Sequence, residues 1–321
     1  MSLRALLEHG LNARWYGNTP PGPSARLLAY IYGRLRPKTR AQKPNRSLPV
    51  RVVVVGNLTV GGVGKTPLVI AIVRLATELG LRVGVIARGY GGHARGVVEV
   101  RADSDWREVG DEPLLIKRLT QAPMVIGRRR LDAARALLAL GQLDLIIADD
   151  GLQHSALPRD AEIVVIDGER GFGNGMLLPA GPLREPITRL ESVDLCAYRG
   201  GNEPLRFELD LGEPWALADR RAHSFAELGA RPRLVAMSGI GHPERFFRAL
   251  RAKGLKFEAM ALGDHRALDG KQLASLATAT VLITEKDAVK YAGSALDLIV
   301  VPAQLTLSPA LKAALMSLLR P

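Results

Sequence analysis

Arg51-Val52-Val53-Val54-Val55-Gly56-Asn57 runs through Leu58-Thr59-Val60 into Gly61-Gly62-Val63-Gly64-Lys65-Thr66, and this passage decides the fold. A β-branched apolar run, a glycine loop and a helix start, in that order, read as a triphosphate cradle. Glycines let successive backbone N–H groups turn inward onto phosphate oxygens, and Lys65 sets a cation on the β- and γ-phosphates. Thr66 offers a hydroxyl to Mg2+ at the helix N-terminus. The expected nucleotide contacts are Thr59, Val60, Gly61, Gly62, Val63, Gly64, Lys65 and Thr66, with ATP or GTP as the ligand. The general G-x-x-x-x-G-K-[ST] spacing puts its first glycine where this chain has Thr59. A glycine turn before an ordinary helix does not account for Lys65 and Thr66 arriving together behind a buried strand.

Outward from that passage, short apolar runs alternate with helical stretches, the pattern of a parallel sheet wrapped by helices. Strands are expected at 50–56, 82–87, 97–101, 123–126, 143–149 and 163–167, and helices at 65–79, 112–120 and 128–140. The Gly/Pro-rich stretch 171–182 ends this set. A second set has strands near 193–198, 205–211, 233–237, 256–262, 280–284 and 297–301, with helices near 243–252, 270–278 and 308–319. The fold class is therefore α/β, a P-loop NTPase-like doubly wound parallel sheet with a second, smaller α/β subdomain and an N-terminal helical segment. The expected division is 1–46 for that segment, 47–190 for the nucleotide-binding core and 191–321 for the part completing the cleft.

At 321 residues and 47% hydrophobic, with a mean hydropathy of +0.06, the chain can bury a substantial core. A single cysteine, Cys196, excludes an intramolecular disulfide framework and, with no signal-peptide pattern, favours a reducing cytoplasm. No apolar run reaches membrane-spanning length. Much of the +12 net charge lies in residues 1–46, where nine Arg and Lys face Glu8 alone. Leu3, Leu6, Leu7, Leu11, Trp15 and Tyr16 are interleaved with them, and after the break at 19–23 come Leu27, Leu28, Tyr30, Ile31, Tyr32 and Leu35. That interleaving suits a helix pair lying on an anionic membrane. It equally suits helices packed on the protein body with solvated arginines. No nucleic-acid module accompanies the charge.

Leu143 to Asp150 is an apolar strand ending in Asp149 and Asp150, the place where a P-loop protein keeps the acid that holds Mg2+. Arg88-Gly89-Tyr90-Gly91-Gly92 emerges at the same sheet edge and offers Arg88 and Tyr90 to nucleotide or acceptor; a plain glycine turn reads as well. In Gly110-Asp111-Glu112-Pro113, Asp111 is either a helix N-cap or a general base for an attacking hydroxyl. Gly263-Asp264-His265-Arg266 holds the best placed of six histidines, and His265 could pair with an aspartate if the two halves face each other. Arg128-Arg129-Arg130, Gln153-His154 and Thr284-Glu285-Lys286-Asp287 are polar clusters with ordinary surface explanations. The arginine trio opens a helix at the wrong end for its dipole, which suggests an anion nearby.

Taken in order, 56–67, Arg88-Gly89-Tyr90-Gly91, Gly110-Asp111-Glu112-Pro113, Asp149-Asp150-Gly151-Leu152-Gln153-His154, Pro179-Ala180-Gly181-Pro182-Leu183-Arg184-Glu185, Gly239-Ile240-Gly241-His242-Pro243-Glu244-Arg245-Phe246 and Thr284-Glu285-Lys286-Asp287 resemble the tetraacyldisaccharide 4′-kinase family of lipid A biosynthesis. The resemblance covers nearly the whole chain, and the family likewise carries Thr at the position of Thr59. It implies transfer of the ATP γ-phosphate to the 4′-hydroxyl of a tetraacyl glucosamine disaccharide 1-phosphate, giving the 1,4′-bisphosphate. It implies a peripheral enzyme at the cytoplasmic face of a bacterial inner membrane, with the lipid and the membrane surface as partners and no nucleic acid; a monomer is expected, though the sequence does not fix the oligomeric state. By motif, Asp111, His265 and Lys65 take catalytic roles, and Thr66, Asp149 and Asp150 the Mg2+ side. Arg88, Tyr90, Glu112, Arg128, Gln153 and His154 are the candidate substrate contacts.

Overall fold

The computed structural model describes residues 11, 13–17, 19–36, 48–263 and 266–320. Helix α1 (Pro23–Leu35) precedes the buried strand β1 (Arg51–Gly56), which leads through the glycine loop into α2 (Lys65–Glu78). Then follow β2 (Val83–Ala87), β3 (Val97–Glu99), α3 (Trp106–Val109), α4 (Asp111–Thr120), β4 (Met124–Gly127), α5 (Arg130–Ala139), β5 (Leu145–Asp149) and β6 (Ala161–Asp167). Past a 3-10 turn at Ile187–Ser192 come β7 (Leu195–Arg199), β8 (Arg206–Leu211), β9 (Trp215–Ala216), α6 (Phe225–Gly229) and β10 (Leu234–Ser238). The chain ends with α7 (Pro243–Ala252), β11 (Glu258–Ala261), α8 (Gly270–Ser275), β12 (Thr280–Thr284), α9 (Glu285–Ala288), β13 (Asp297–Val301), β14 (Ala303–Leu307) and α10 (Pro309–Leu319).

Two sheets result. The larger has nine strands in the order β14-β8-β7-β6-β1-β5-β2-β4-β3, parallel except for β14 and β3 at its edges. The smaller has five, β11-β10-β12-β13-β9, with only β9 antiparallel. Alternation along β1 explains why a purely apolar strand is required: Val53 and Val55 pack with Leu68, Val69, Ile72 and Val73 of α2. Val52 and Val54 face Ala133, Ala134 and Leu137 of α5 on the other side. Each such valine or leucine, buried on a covered face, contributes about 1.5–3 kcal/mol relative to exposure.

The structure departs from the pattern reading in the second half. Strands expected at 193–198 and 205–211 within the second set become β7 and β8 of the larger sheet, with β7 parallel to β6. All seven residues of β6 are buried, so its outer edge needs a partner strand, and the next strand in sequence supplies it. The chain then builds the smaller sheet and returns. β14, unanticipated, pairs antiparallel with β8, and Leu311, Leu315 and Leu319 of α10 join the core beneath α2. The outgoing and returning passages lie side by side, tied where Gly212 N donates to Pro302 O at 2.9 Å.

At the N-terminal side, Trp15 is buried and its Nε1 donates to Pro179 O at 3.0 Å. Pro23 opens α1, where its fixed φ suits a first helical turn. Leu3, Leu6, Leu7 and the basic residues of 37–46 lie outside the described residues. Among the described residues, no helix is long and apolar enough to cross a membrane.

Candidate active site

The glycine loop joins β1 to α2 with Gly61 at φ 101° and Gly64 at φ 95°, left-handed conformations that side chains resist. A Cβ on Gly64 would also come within 3.0 Å of the Arg199 side chain. Gly64 is the N-cap of α2, and no side chain among the described residues caps that end. Its first N–H groups are thus available to an anion. Lys65 Nζ donates to Asn57 Oδ1 at 2.9 Å and lies 3.6 Å from Asp150 Oδ1. Asn57, fully buried, is itself fixed by its Nδ2 donating to Thr59 O at 2.6 Å. Thr59 is therefore a structural partner of the loop's polar floor.

β5 delivers Asp149 and Asp150 beside β1, and the two acids meet opposite surroundings. Arg184 clasps Asp150 through Nη1 and Nη2 at 3.1 and 3.0 Å, and also donates to Asn57 O at 2.8 Å. Burial would raise the Asp150 pKa, but Lys65 and Arg184 outweigh it and hold the carboxyl well below the usual range. Asp149 is pushed up to about 7 by burial, with Glu112 and Asp150 adding to the effect. Its Oδ1 is buried with no hydrogen-bond partner among the described residues. An orphaned, oxygen-only donor lining the same cleft as Thr66 fits a hard cation such as Mg2+, which needs few protein ligands and completes its shell with phosphate and water. Among the described residues no cluster of three His, Cys, Asp or Glu stands ready to hold a metal alone.

A cleft of about 1450 Å3 opens over this floor, lined by the phosphate loop, Arg88, Tyr90, Glu112, Asp149 and Asp150 from the larger sheet. His242, Arg245 and Lys286 line it from the smaller. Arg245 crosses between the sheets to Asp167 Oδ2 at 2.6 Å. Gly110, at φ 92°, lets the backbone of the 88–92 loop settle on the start of α4, since a Cβ there would meet Tyr90 O at 2.5 Å. This contact places Arg88 and Tyr90 beside Asp111 and Glu112.

Of that acid pair, Glu112 lines the cleft and accepts from Lys286 Nζ at 2.8 Å. Burial alone would raise its pKa, yet Lys286 outweighs burial and lowers it. Asp111 is 1% exposed, its Oδ1 accepts from Glu112 N at 2.9 Å, and its Oδ2 lies 3.2 Å from Lys290 Nζ. His265 lies outside the described residues. Gln153 is drawn into the floor rather than the cleft, donating to Glu185 Oε1 at 2.8 Å. His154 is pushed down to about 4 by burial, then by Arg130 and Arg88.

Arg128 is exposed and does not line the cleft. The inward member of its trio is Arg130, buried, donating to Gly127 O at 2.9 Å and to Asp150 O at 3.4 Å. Burial lowers its pKa to about 10, while the Asp149 and Asp150 charges oppose the shift and supply the anion that the helix-dipole argument called for. The surface explanation for 284–287 fails as well, because Asp287 is fully buried and Lys286 reaches Glu112. The sequence reading does not single out Asn57, Arg130, Glu185 and Lys290 as site residues; Asn57 and Glu185 lie within the motifs that carry the family resemblance, Arg130 leaves a signal in the misplaced charge at a helix start, and Lys290 leaves none.

The family model described as tetraacyldisaccharide-1-P 4′-kinase (LpxK) matches residues 23–320. A tetraacyldisaccharide 4′-kinase of Shewanella baltica (strain OS155) is 45% identical over 291 residues, 87% of this chain and 86% of that protein. One from Shewanella oneidensis is 45% identical over 288 residues, with the same coverage of 87% and 86%. The fold is similar to a crystal structure of LpxK from Aquifex aeolicus in complex with ATP, with a TM-score of 0.68 and 25% identity over 99% of this chain and 100% of that one.

Proposed function

Because the chain belongs to the tetraacyldisaccharide-1-P 4′-kinase family, we propose that its cleft transfers the ATP γ-phosphate to the 4′-hydroxyl of a tetraacylated glucosamine disaccharide 1-phosphate in lipid A biosynthesis. The observation that carries this reading is that the phosphate loop and Glu112 at the start of α4, next in sequence to the buried Asp111, line one cleft. A phosphoryl donor and a carboxylate for the acceptor must share such a space.

In this reading the backbone N–H groups of 61–66 and Lys65 hold the triphosphate. Thr66 and Asp149 hold Mg2+, while Asp150, committed to Lys65 and Arg184, sets the position of both cations. When bound, Mg2+ neutralises charge on the phosphoryl group. Asp111 accepts the proton of the 4′-hydroxyl as the new O–P bond forms and the bond from the γ-phosphorus to the bridging oxygen breaks, releasing ADP. His265, by motif, orients that carboxylate. At 1% exposure the Asp111 carboxylate is itself shielded from bulk water. Arg88 and Tyr90 flank the acceptor side.

α1 gives the enzyme its reach toward a lipid that stays in a bilayer. Ala29 is buried and Tyr32 donates to Arg184 O at 3.1 Å, which fixes one face. The other exposes Leu27, Leu28, Tyr30, Ile31 and Leu35, the last 79% exposed, with Arg26 and Arg34 among them. An apolar face rimmed by cations suits the anionic cytoplasmic leaflet of an inner membrane. Purified protein incubated with labelled ATP, Mg2+ and the disaccharide 1-phosphate in mixed micelles should yield the bisphosphate; label released only as inorganic phosphate would refute the proposal.

A further inference from the structure

Two neighbouring carboxylates at the start of α4 are each held by a lysine from the smaller-sheet side of the cleft. Lys290 Nζ lies 3.2 Å from Asp111 Oδ2, and Lys286 Nζ donates to Glu112 Oε1 at 2.8 Å. The lysines stand four residues apart, the spacing that puts side chains on one side of a helical segment. That segment is anchored at α9, where Thr284 Oγ1 accepts from Asp287 N at 3.2 Å.

Lys290 is the unusual member. Its side chain is wholly buried between Asp111 and Asp287, the latter 3.0 Å away. A buried ammonium is costly unless its surroundings match it. Asp287 has other donors: Gly239 N at 3.0 Å and Thr284 Oγ1 at 2.8 Å. Lys290 also donates to Arg266 O at 3.3 Å, which leaves Asp111 as its second carboxylate. The charged groups around Asp111, among the described residues, are Lys290 with Asp287 behind it, and Glu112 on its own helix with Lys286 behind that. The Gly89–Tyr90 backbone packs on Gly110 from the third side, and its loop brings Arg88 to the same cleft.

We propose that Lys290 is a positioning residue for phosphoryl transfer, holding the Asp111 carboxylate ionised and aimed, so that the base is assembled only while the smaller sheet stands over the larger. The inference rests on reading Asp111 as the proton acceptor. A base must be unprotonated when the hydroxyl arrives, and a cation within about 4 Å lowers a carboxylate pKa by about 1–3 units. Glu112 and Lys286 form the parallel pair at the cleft wall, so one short segment of the smaller sheet sets both acids.

The test is kcat against pH, measured with saturating Mg2+ and ATP and with detergent-dispersed tetraacyldisaccharide 1-phosphate, for the full-length enzyme, Lys290→Met and Asp111→Asn. For Lys290→Met the acid limb of kcat should lie about one to two pH units above that of the wild type, with KM for ATP within about twofold. An acid limb in the wild-type position, with kcat depressed equally at every pH, overturns the proposal and leaves Lys290 a packing residue. Wild-type turnover by Asp111→Asn would instead sink the reading of Asp111 itself. Removing one partner of a buried pair threatens folding. The double variant Lys290→Met/Asp287→Asn, which also removes the second buried carboxylate, is therefore measured alongside, with urea unfolding as the check on structure. A raised acid limb in the double variant supports the proposal, and an unmoved one overturns it.

Discussion

Arg184 grips both oxygens of Asp150, while Asp149, its neighbour in sequence, keeps a buried oxygen with no hydrogen-bond partner among the described residues. Two adjacent acids at one strand end thereby meet different surroundings: one is part of the protein's own charge network, and the other is the one we propose for the cation.

Asp149→Asn should lower kcat by about 100-fold or more, because it removes a charge aimed at Mg2+, while the protein stays folded. In thermal melts it should lose the added stabilisation that Mg2+ gives beyond ATP alone. Retention of that Mg2+-dependent increment would show that the metal sits elsewhere.

His154 gives a pH signature that needs no ligand. The unfolded imidazole takes up a proton near 6.5 and the folded one only near 4, so between these values the unfolded state binds more protons and stability falls as the pH falls. The loss should amount to about 1–2 kcal/mol, since the ring keeps some contact with solvent. His154→Gln should flatten that part of the urea-unfolding profile; equal slopes for variant and wild type would contradict the assignment.

Gly110→Ala should destabilise the protein by about 2 kcal/mol or more, because the position combines φ 92° with a carbonyl 2.5 Å from the added carbon. Displacing the 88–92 loop should depress kcat as well. Chemical denaturation beside steady-state kinetics measures both, and a variant with wild-type stability would remove the case for close backbone approach.

Leu27→Glu combined with Leu28→Glu should weaken binding to vesicles of phosphatidylglycerol and phosphatidylcholine by about tenfold or more, each leucine contributing about 1.5–3 kcal/mol when buried. Thermal stability should not change, because both side chains are exposed. Vesicle flotation reads the binding, and undiminished flotation would assign the membrane contact to another surface.

The larger sheet was readable because its signals are local. Val52 to Val55 form an unbroken apolar run, and the glycine loop with Lys65 follows within a few residues. Asp149 and Asp150 announce themselves by ending such a run. What escaped reading depends on which strand lies beside which. β7 looks like any buried strand, and nothing in Leu195-Cys196-Ala197 states that its neighbour is β6 rather than a strand of the second sheet. Lys286 meets Glu112 across 174 positions of sequence, so neither residue carries a trace of the other. Arg130 and Arg128 are chemically identical, and only the first turn of α5 decides which one faces Asp150.

The hydrogen bond from Gly212 to Pro302 ties together the two passages of chain that lead into and out of the smaller sheet. Away from that tie, Arg245 on Asp167, Lys286 on Glu112 and Lys290 on Asp111 span the same two sheets, so the acids are held by cross-links that the connecting strands alone do not supply. The returning passage continues through β14 into α10, whose Lys312 lines the cleft, so the last helix of the chain braces that arrangement from the side of the larger sheet.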